Sequence, residues 1–298
     1  MSDVAVSADT QDPAALVAAI EAQAKKVATP CGDGEMTWRI WGAGPQVVLL
    51  HGGHGAWSHW IRNILPLAER FTVIVPDMPG FGDSASPPDP YTADSMAAIM
   101  ANGLDRILGE STFSIVGFSF GGVMGSHLAK ERPDRIKRLV LVGSGGLGLP
   151  RPKMGEMRNW KRLDSEAERL DAHRNNLAVL MLHDPAKIEG LALHIQSTNT
   201  VRTRINSRKI SLTDAGRRAL ATFSAPLAGI WGIYDATATG EFLDAREQLV
   251  KTLDTDAEFV RLDGGHWIQF EAPEVFNRTV IEILETPRSG RGPGSAAV

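Results

Sequence analysis

Short runs of apolar residues along the chain alternate with longer stretches in which apolar residues recur every three or four positions. The runs are rich in Val, Ile and Leu, which is typical of buried strands, and the longer stretches have the period of amphipathic helices. The predicted strands are residues 36–42, 46–51, 72–77, 113–118, 136–143, 227–234 and 257–262, and the predicted helices are residues 58–69, 94–109, 120–132, 213–223, 241–251 and 273–285. Alternating strands and helices predict an α/β fold with a mostly parallel sheet.

The two ends of the chain depart from this alternation. Asp12 followed by Pro13 is typical of a helix N-terminus, and the helical spacing continues to about Lys26. We therefore predict an N-terminal helical arm over residues 1–35. Residues 287–298 are rich in Gly, Ser, Pro and Arg and have too little apolar content to pack, so this tail is predicted to be disordered.

A long connection separates the fifth and sixth predicted strands. The stretch between Ser144 and Thr213 has helical patterning and no strong strand, and it is too long for a simple connection in a compact domain. We therefore predict an inserted helical segment at residues 147–212, between two parts of the core at residues 36–146 and 213–286.

A G-x-S-x-G pentapeptide at residues 117–121, centred on Ser119, joins a predicted strand to a predicted helix. A serine at such a junction is typical of a nucleophile elbow, where the sharp turn lifts the hydroxyl clear of the backbone. The pentapeptide alone is a weak indication, since a glycine-rich turn without chemistry gives the same pattern.

Two other polar side chains follow predicted strands further along the chain. Asp235 ends the strand at residues 227–234, and His266 comes shortly after the last strand. The carboxyl ends of parallel strands share one edge of a sheet, so Ser119, Asp235 and His266 are predicted to meet there. Asp263 is a weaker candidate for the acid, because it lies only three residues before the histidine.

A glycine-rich loop at residues 51–55 follows the strand at 46–51. Its Gly53 N–H and the N–H of Phe120 are predicted to form an oxyanion hole, while His54 is predicted to edge the substrate pocket. The alternative is a flexible glycine turn. Although histidines cluster here, no carboxylate or cysteine stands at ligand spacing, so we predict neither a metal nor a cofactor.

Together these motifs resemble the α/β-hydrolase superfamily, in its order and spacing, over residues 36–286. The matching pieces are His51-Gly52-Gly53, Asp77-Met78-Pro79-Gly80-Phe81-Gly82-Asp83-Ser84, Gly117 to Gly122, Trp231-Gly232-Ile233-Tyr234-Asp235 and Gly265-His266. The resemblance implies an α/β-hydrolase fold with Ser119 as nucleophile, His266 as general base and Asp235 as the acid that orients it. It also implies that residues 147–212 form a helical cap, or lid, over the site.

Composition and charge limit the class of protein, its cellular location and its binding partners. The chain is 43% hydrophobic and 22% charged, as expected of one sizeable globular domain, and its single cysteine, Cys31, excludes an internal disulfide. Neither a signal peptide nor an apolar stretch of about 18 residues is apparent, so we expect a cytoplasmic protein without a membrane span. A net charge of −4 argues against nucleic-acid binding. We expect a small-molecule substrate, and a homodimer stays open.

The inserted segment is basic although the chain is acidic. Residues 150–210 hold 12 Lys or Arg against 7 Asp or Glu, a local balance of +5. A basic lid favours a substrate with a carboxylate, and Arg202 and Arg204 are the predicted partners. The alternative for each arginine is a solvated helix face. Trp160 in the same segment and Trp267 after the histidine are further predicted substrate contacts.

The predicted function is that of a serine hydrolase with an acyl-enzyme intermediate, acting on a small hydrophobic carboxylic ester. A second hypothesis is carbon–carbon bond hydrolysis of ring-fission products from aromatic degradation. Residues 265–271, with Trp267, resemble the group of hydrolases that cleave these products. Phe118 departs from it, since the group has asparagine before the serine. A third reading, from another class, is a non-catalytic small-molecule binding protein of the same fold.

Overall fold

The computed structural model describes residues 12–222, 224–288 and 290, and its centre is an eight-stranded sheet. The strands are β1 (Lys25–Cys31), β2 (Gly34–Trp41), β3 (Gln46–Leu50), β4 (Thr72–Pro76), β5 (Phe113–Phe118), β6 (Ile136–Val142), β7 (Leu227–Gly232) and β8 (Glu258–Leu262). Their order in the sheet is β1-β2-β4-β3-β5-β6-β7-β8. The β1–β2 and β2–β4 pairs are antiparallel, and the other pairs are parallel.

Helices cover both faces of this sheet. They are α1 (Pro13–Glu21), α2 (Ile64–Ala68), α3 (Ala93–Leu108), α4 (Phe120–Glu131), α5 (Glu166–Asn176), α6 (Leu191–Val201), α7 (Arg208–Ser211), α8 (Ala215–Leu220), α9 (Glu241–Leu253), α10 (Ile268–Glu271) and α11 (Pro273–Glu285). Strands β5 and β7 are buried along their whole length. Burial on both faces explains why they read as continuous apolar runs rather than as alternating patterns.

The N-terminal prediction needs correction. Helix α1 ends at Glu21 rather than near Lys26, and Lys25–Cys31 form β1, which pairs antiparallel with β2. The strand forms because Thr29 and Cys31 point inward in alternation, a period of two. Pro30 is tolerated because β1 is an edge strand of the described sheet. Residues 1–35 are therefore not all helical, and residues 1–11 lie outside the described residues.

The predicted helix at residues 58–69 is also divided. It consists of a 3-10 turn, Trp57–Trp60, and the short helix α2. The physical reason is Pro66, whose ring would clash with the carbonyl of residue 62 in a continuous α-helix.

The disordered tail predicted at residues 287–298 stays a prediction for most of its length. Residue 289 and residues 291–298 lie outside the described residues. Before them, Arg288 donates hydrogen bonds to the Leu227 carbonyl at 3.2 Å and to Asp254 at 2.9 Å. This contact ties the chain after α11 to the start of β7.

The segment between β6 and β7 contains α5, α6, α7 and α8, short 3-10 turns and a π-helical turn at Leu177–Met181. Helix α5 begins with a capping box in which Ser165 and Glu168 bond each other's backbone N–H groups. Helix α6 packs against α1, while α8 packs against α4 of the core. Among the described residues, no helix is both long and apolar enough to cross a membrane.

Candidate active site

The turn between β5 and α4 carries Ser119. Its backbone has φ +53° and ψ −110°, a left-handed conformation that a non-glycine residue rarely adopts. Such strain costs about 1–3 kcal/mol and is concentrated at functional sites. Two residues on, a side chain at Gly121 would have its Cβ 2.2 Å from the Leu50 carbonyl oxygen, so only glycine lets α4 approach β3 this closely. The sequence therefore builds the sharp turn that a nucleophile elbow needs.

The three side chains that were predicted to meet form one hydrogen-bonded chain. Nε2 of His266 lies 3.1 Å from Oγ of Ser119, and its Nδ1 lies 2.8 Å from Oδ2 of Asp235. All three residues follow strands at the same edge of the sheet, after β5, β7 and β8. In this arrangement the imidazole can accept the serine proton while the carboxylate holds the ring.

Asp235 is fully buried, and its second oxygen accepts hydrogen bonds from Thr237. The Thr237 N–H and hydroxyl donate to Oδ1 at 2.7 and 2.8 Å. Burial alone would raise the pKa of Asp235, but His266 and these hydrogen bonds outweigh it and hold the pKa below its usual value. The charged carboxylate favours a proton on Nδ1 of His266, which leaves Nε2 free to accept. The sequence analysis did not single out Thr237, although an Asp-x-Thr turn is a recognisable local pattern.

Two buried histidines fix the glycine-rich loop after β3. Nδ1 of His59 accepts the Gly52 N–H at 3.2 Å, and Nδ1 of His51 lies 2.8 Å from the Gly52 carbonyl oxygen. Nε2 of His51 accepts the Met78 N–H at 3.0 Å, so its Nδ1 carries the proton and donates. Both backbone groups of Gly52 are thus committed, which determines where the next residue, Gly53, presents its N–H.

Burial keeps both histidines neutral. It lowers the pKa of His51, and it lowers the pKa of His59 well below 6.5, with further lowering from the neighbouring histidines. Neutrality matters most for His59, because a protonated Nδ1 could not accept the Gly52 N–H. The loop geometry therefore depends on an uncharged ring.

The two N–H groups predicted to form an oxyanion hole lie on facing backbone segments. A Cβ at Gly53 would come 3.7 Å from the Cβ of Phe120 and only 2.6 Å from Oγ of Ser207, so glycine is required by close approach. Within the described part of the chain, neither N–H has a hydrogen-bond acceptor. Phe120 is the first residue of α4, where N–H groups are unpaired and the helix dipole favours negative charge.

A cavity of about 160 Å³ opens at Ser119 and His266. Its apolar lining comes from the core and from the segment between β6 and β7, and consists of Phe118, Phe120, Met154, Met157, Leu180, Met181 and Leu212. Its polar lining includes Ser207, Thr237, His54, Arg151 and Arg208. The volume is less than the about 300–1,000 Å³ of typical ligand pockets, so the space suits a small ligand.

Comparison with known proteins gives this arrangement a family. The family model for the alpha/beta hydrolase fold matches residues 45–180. The chain is 31% identical to a 2-hydroxy-6-oxo-6-phenylhexa-2,4-dienoate hydrolase of Burkholderia cepacia, over 82% of this chain and 88% of that protein. The chain belongs to the α/β-hydrolase family. The predicted fold is therefore confirmed.

Two other proteins are similar over four-fifths or more of the chain. A 2-hydroxy-6-oxononadienedioate/2-hydroxy-6-oxononatrienedioate hydrolase of Comamonas testosteroni is 29% identical, over 82% of this chain and 88% of that protein. The crystal structure of a carboxylesterase from Bacillus subtilis superposes with a TM-score of 0.73 at 18% identity, over 93% of this chain and 97% of that chain. At that identity the structural likeness shows the fold alone.

Of the predicted substrate contacts, His54 lines the cavity, with φ +59°. Burial lowers the pKa of His54, and the positive charges of Arg208 and Lys161 lower it further. Proximity to two cations thus favours the neutral ring at the cavity wall.

The predicted arginines lie elsewhere, and this expectation needs correction. Arg202 forms an ion pair with Asp83, while Arg204 donates to the carbonyls of Gly82 and Ser84. Both bind the loop after β4, and neither lines the cavity at Ser119. The count of charged residues predicted the net positive charge of the segment, but not all of its charged side chains face the site.

The two predicted tryptophans pack against other aromatic rings. Trp267 is completely buried, stacks on Phe270 at 4.2 Å, and donates through Nε1 to the His59 carbonyl at 2.9 Å. Trp160 packs against His173 with ring centroids 5.3 Å apart. Neither ring lines the cavity at Ser119. Trp267 thus stabilises the loop that carries His266.

The cations that do line the cavity are Arg151 and Arg208, which the sequence analysis did not predict. They come from separate parts of the segment, and nothing in their local sequence marks them. Among the described residues, no cluster of three or more His, Cys, Asp or Glu is arranged to hold a metal ion.

Proposed function

We propose that this hydrolase is a serine hydrolase that cleaves small carboxylic esters. The observation that carries the proposal is the hydrogen-bonded chain from Ser119 through His266 to Asp235, which opens on a largely apolar cavity. This combination matches the chemical needs of acyl transfer: an activated hydroxyl, a base, and a carboxylate that orients the base.

The reaction begins when the Ser119 hydroxyl attacks the acyl carbon and its proton moves to Nε2 of His266. The N–H groups of Gly53 and Phe120 donate to the developing oxyanion, at the N-terminus of α4. His266 then gives its proton to the leaving alcohol, which departs and leaves an acyl-enzyme. Water repeats the sequence on the acyl-enzyme, the acid is released, and the serine regains its proton.

Ionised Asp235 supports each proton transfer. Its lowered pKa keeps it charged at neutral pH, so it stabilises the imidazolium that forms in both half-reactions. The cavity supports substrate choice in a different way. Its methionine and leucine side chains favour an apolar acyl or alcohol group, and its volume of about 160 Å³ favours a small one.

A second candidate is carbon–carbon bond hydrolysis of a dienoate. It is favoured by the names of the two curated relatives above, which are both dienoate-type hydrolases and match 82% of the chain. The arginines of the cavity suit an anionic substrate of that kind. Against it, Phe118 gives the cavity an apolar side chain beside the serine.

Steady-state turnover of two substrates separates these candidates. The purified wild-type protein, Ser119→Ala and Ser126→Ala would be assayed with p-nitrophenyl hexanoate and with a 2-hydroxy-6-oxo-dienoate. Ser126 is the matched control, because its hydroxyl bonds the Gly122 carbonyl within α4 and does not line the cavity.

Ester turnover that survives in Ser126→Ala and is lost in Ser119→Ala is the expected result. Faster turnover of the dienoate would replace the ester proposal with the second candidate. Binding of either compound without product release would identify a small-molecule binding protein instead.

A further inference from the structure

A second cleft, of about 450 Å³, lies beside the cavity at Ser119. Residues 144–151 and 211–214, together with Arg246, form its walls. The cleft and the cavity share Arg151, Ser211 and Leu212, so the two spaces adjoin along these residues. Arg151 therefore borders both the cavity and the cleft.

Arg246, on α9, carries a buried charge in the wall of this cleft. Its side chain is 4% exposed and donates to the carbonyls of Phe242 at 2.7 Å and Thr237 at 3.2 Å. Within the described ranges, no carboxylate forms an ion pair with it. Burial lowers the pKa of Arg246 to about 10, and the positive charge of Arg151 contributes to this lowering. Buried charges in proteins are normally paired, because desolvation of a lone ion is costly.

Arg151 is similar and lies at the junction of the two spaces. Its guanidinium donates to the Ser211 carbonyl at 3.3 Å and pairs with no carboxylate of the described chain. Burial lowers the pKa of Arg151, and Arg208, a further cation of the cavity wall, adds to the effect. Two guanidinium groups thus keep most of their donors uncommitted.

The acidic groups nearby are already engaged. Asp235 bonds His266 and Thr237, and Asp214, in the cleft wall, pairs with Arg218. Asp235 partly opposes the lowering of the pKa of both arginines, but its oxygens are occupied by His266 and Thr237, so the donors of the two guanidinium groups stay uncommitted. A guanidinium is planar and matches a carboxylate with two parallel hydrogen bonds, so this is the ligand chemistry that the wall fits best.

We propose that Arg151 and Arg246 form a carboxylate-binding subsite, so that the preferred substrate carries a carboxylate on the part of the molecule that enters the cleft. The proposal rests on the proposed hydrolase function, which it deepens by naming the substrate class. The subsite differs from the sequence expectation, which assigned the carboxylate to Arg202 and Arg204.

A pair of esters of equal length tests the subsite. Mono-p-nitrophenyl adipate carries a terminal carboxylate, and p-nitrophenyl hexanoate carries a methyl group in its place. The ratio of their kcat/KM values would be measured for wild type, Arg151→Gln and Arg246→Gln. Arg278→Gln is the matched control, since Arg278 is an exposed arginine on α11 outside both spaces.

Each cleft variant should lower the adipate-to-hexanoate ratio by about 10- to 100-fold, the worth of a charge-assisted hydrogen bond. Arg278→Gln should leave the ratio unchanged. The ratio is the decisive quantity for Arg246, which also supports Thr237 next to Asp235, because any effect on the catalytic groups cancels within one variant. An unchanged ratio in both cleft variants would overturn the proposal.

Calorimetric binding of adipate to Ser119→Ala, with and without Arg151→Gln, distinguishes this inference from the proposed function. If wild type hydrolyses neither ester but adipate binding weakens about 10-fold or more with Arg151→Gln, the subsite stands and the esterase proposal fails. If Arg151→Gln changes neither binding nor the ratio, the subsite fails whatever the enzyme hydrolyses.

Discussion

Replacing Glu271 by glutamine should weaken the contact between the loop that carries His266 and the segment between β6 and β7. Glu271 is buried at the end of α10, and one oxygen accepts the Gly265 N–H at 2.6 Å. The other oxygen accepts the N–H groups of His183 at 2.9 Å and Asp184 at 2.6 Å. One carboxylate thus connects the residue before His266 to the end of the π-helical turn.

The size of the effect follows from the burial of the three donors. Gly265 is buried, so water cannot replace the carboxylate at its N–H, whereas His183 is exposed and Asp184 is half-buried. A glutamine keeps one acceptor oxygen but presents an NH2 group to the remaining N–H. A hydrogen bond to a charged acceptor contributes about 1.5–3 kcal/mol, and an unsatisfied buried donor costs about 1–3 kcal/mol. We expect the free energy of unfolding to fall by about 2–4 kcal/mol.

Glu271 acts through Gly265 on the position of His266, so kcat should also fall. A displacement of about 1 Å in a catalytic group costs up to about 100-fold in rate. Urea unfolding followed by tryptophan fluorescence, together with kcat for p-nitrophenyl hexanoate, measures both effects. Glu274→Gln is the control, an exposed glutamate three residues on. If Glu271→Gln stays within about 0.5 kcal/mol of wild type and keeps its kcat, the reasoning from these three hydrogen bonds is wrong.

Three further outcomes follow from the site. Asp235→Asn should lower kcat for a neutral ester by about 10⁴-fold, because the His266 tautomer is lost, and a loss below about 10-fold would exclude the orienting role. The pKa of His59 is far below 6.5 in the folded protein, so the stability it contributes is complete above that pH and falls as the pH decreases. His59→Gln should therefore make the unfolding free energy less dependent on pH between about pH 6 and 5, by at most about 1.4 kcal/mol per pH unit, and an unchanged slope in urea titrations would contradict the neutral ring. Gly53→Ala should lower kcat through contact with Ser207 Oγ, and Ser207→Ala should restore part of it; failure of the double variant to recover would show that the contact is not the cause.

The local sequence pattern predicts the strands of the fold well where both faces of a strand are buried. The strand at Phe113–Phe118 was predicted at its observed boundaries and the following helix at its observed start, Phe120, because an uninterrupted apolar run meets a glycine-flanked turn. Strand β1 was missed for the opposite reason. Its alternation is short, and it becomes a strand only through pairing with β2, which the local sequence does not reveal.

Some residues of the candidate site could likewise be predicted from the sequence, and others could not. Ser119, Asp235 and His266 could be predicted because chain order and strand ends determine which side chains share one edge of a parallel sheet. The Arg151–Arg246 pair could not, because its members lie on a loop and on helix α9 rather than at the ends of strands. Whether an arginine faces a cavity or a neighbouring loop is decided by packing, and Arg202 shows that charge alone gives no direction.

The backbone at Ser119 shows how the fold maintains its unusual conformation. The Ser119 N–H donates to the Val142 carbonyl at 2.8 Å, and its carbonyl accepts the N–H groups of Gly122 at 3.1 Å and Gly145 at 3.2 Å. Three hydrogen bonds thus compensate a strained dihedral pair that a free turn would relax. Every backbone hydrogen-bonding group of the residue is committed to the scaffold. The side-chain hydroxyl and the next N–H, that of Phe120, are therefore the groups left to act on a substrate.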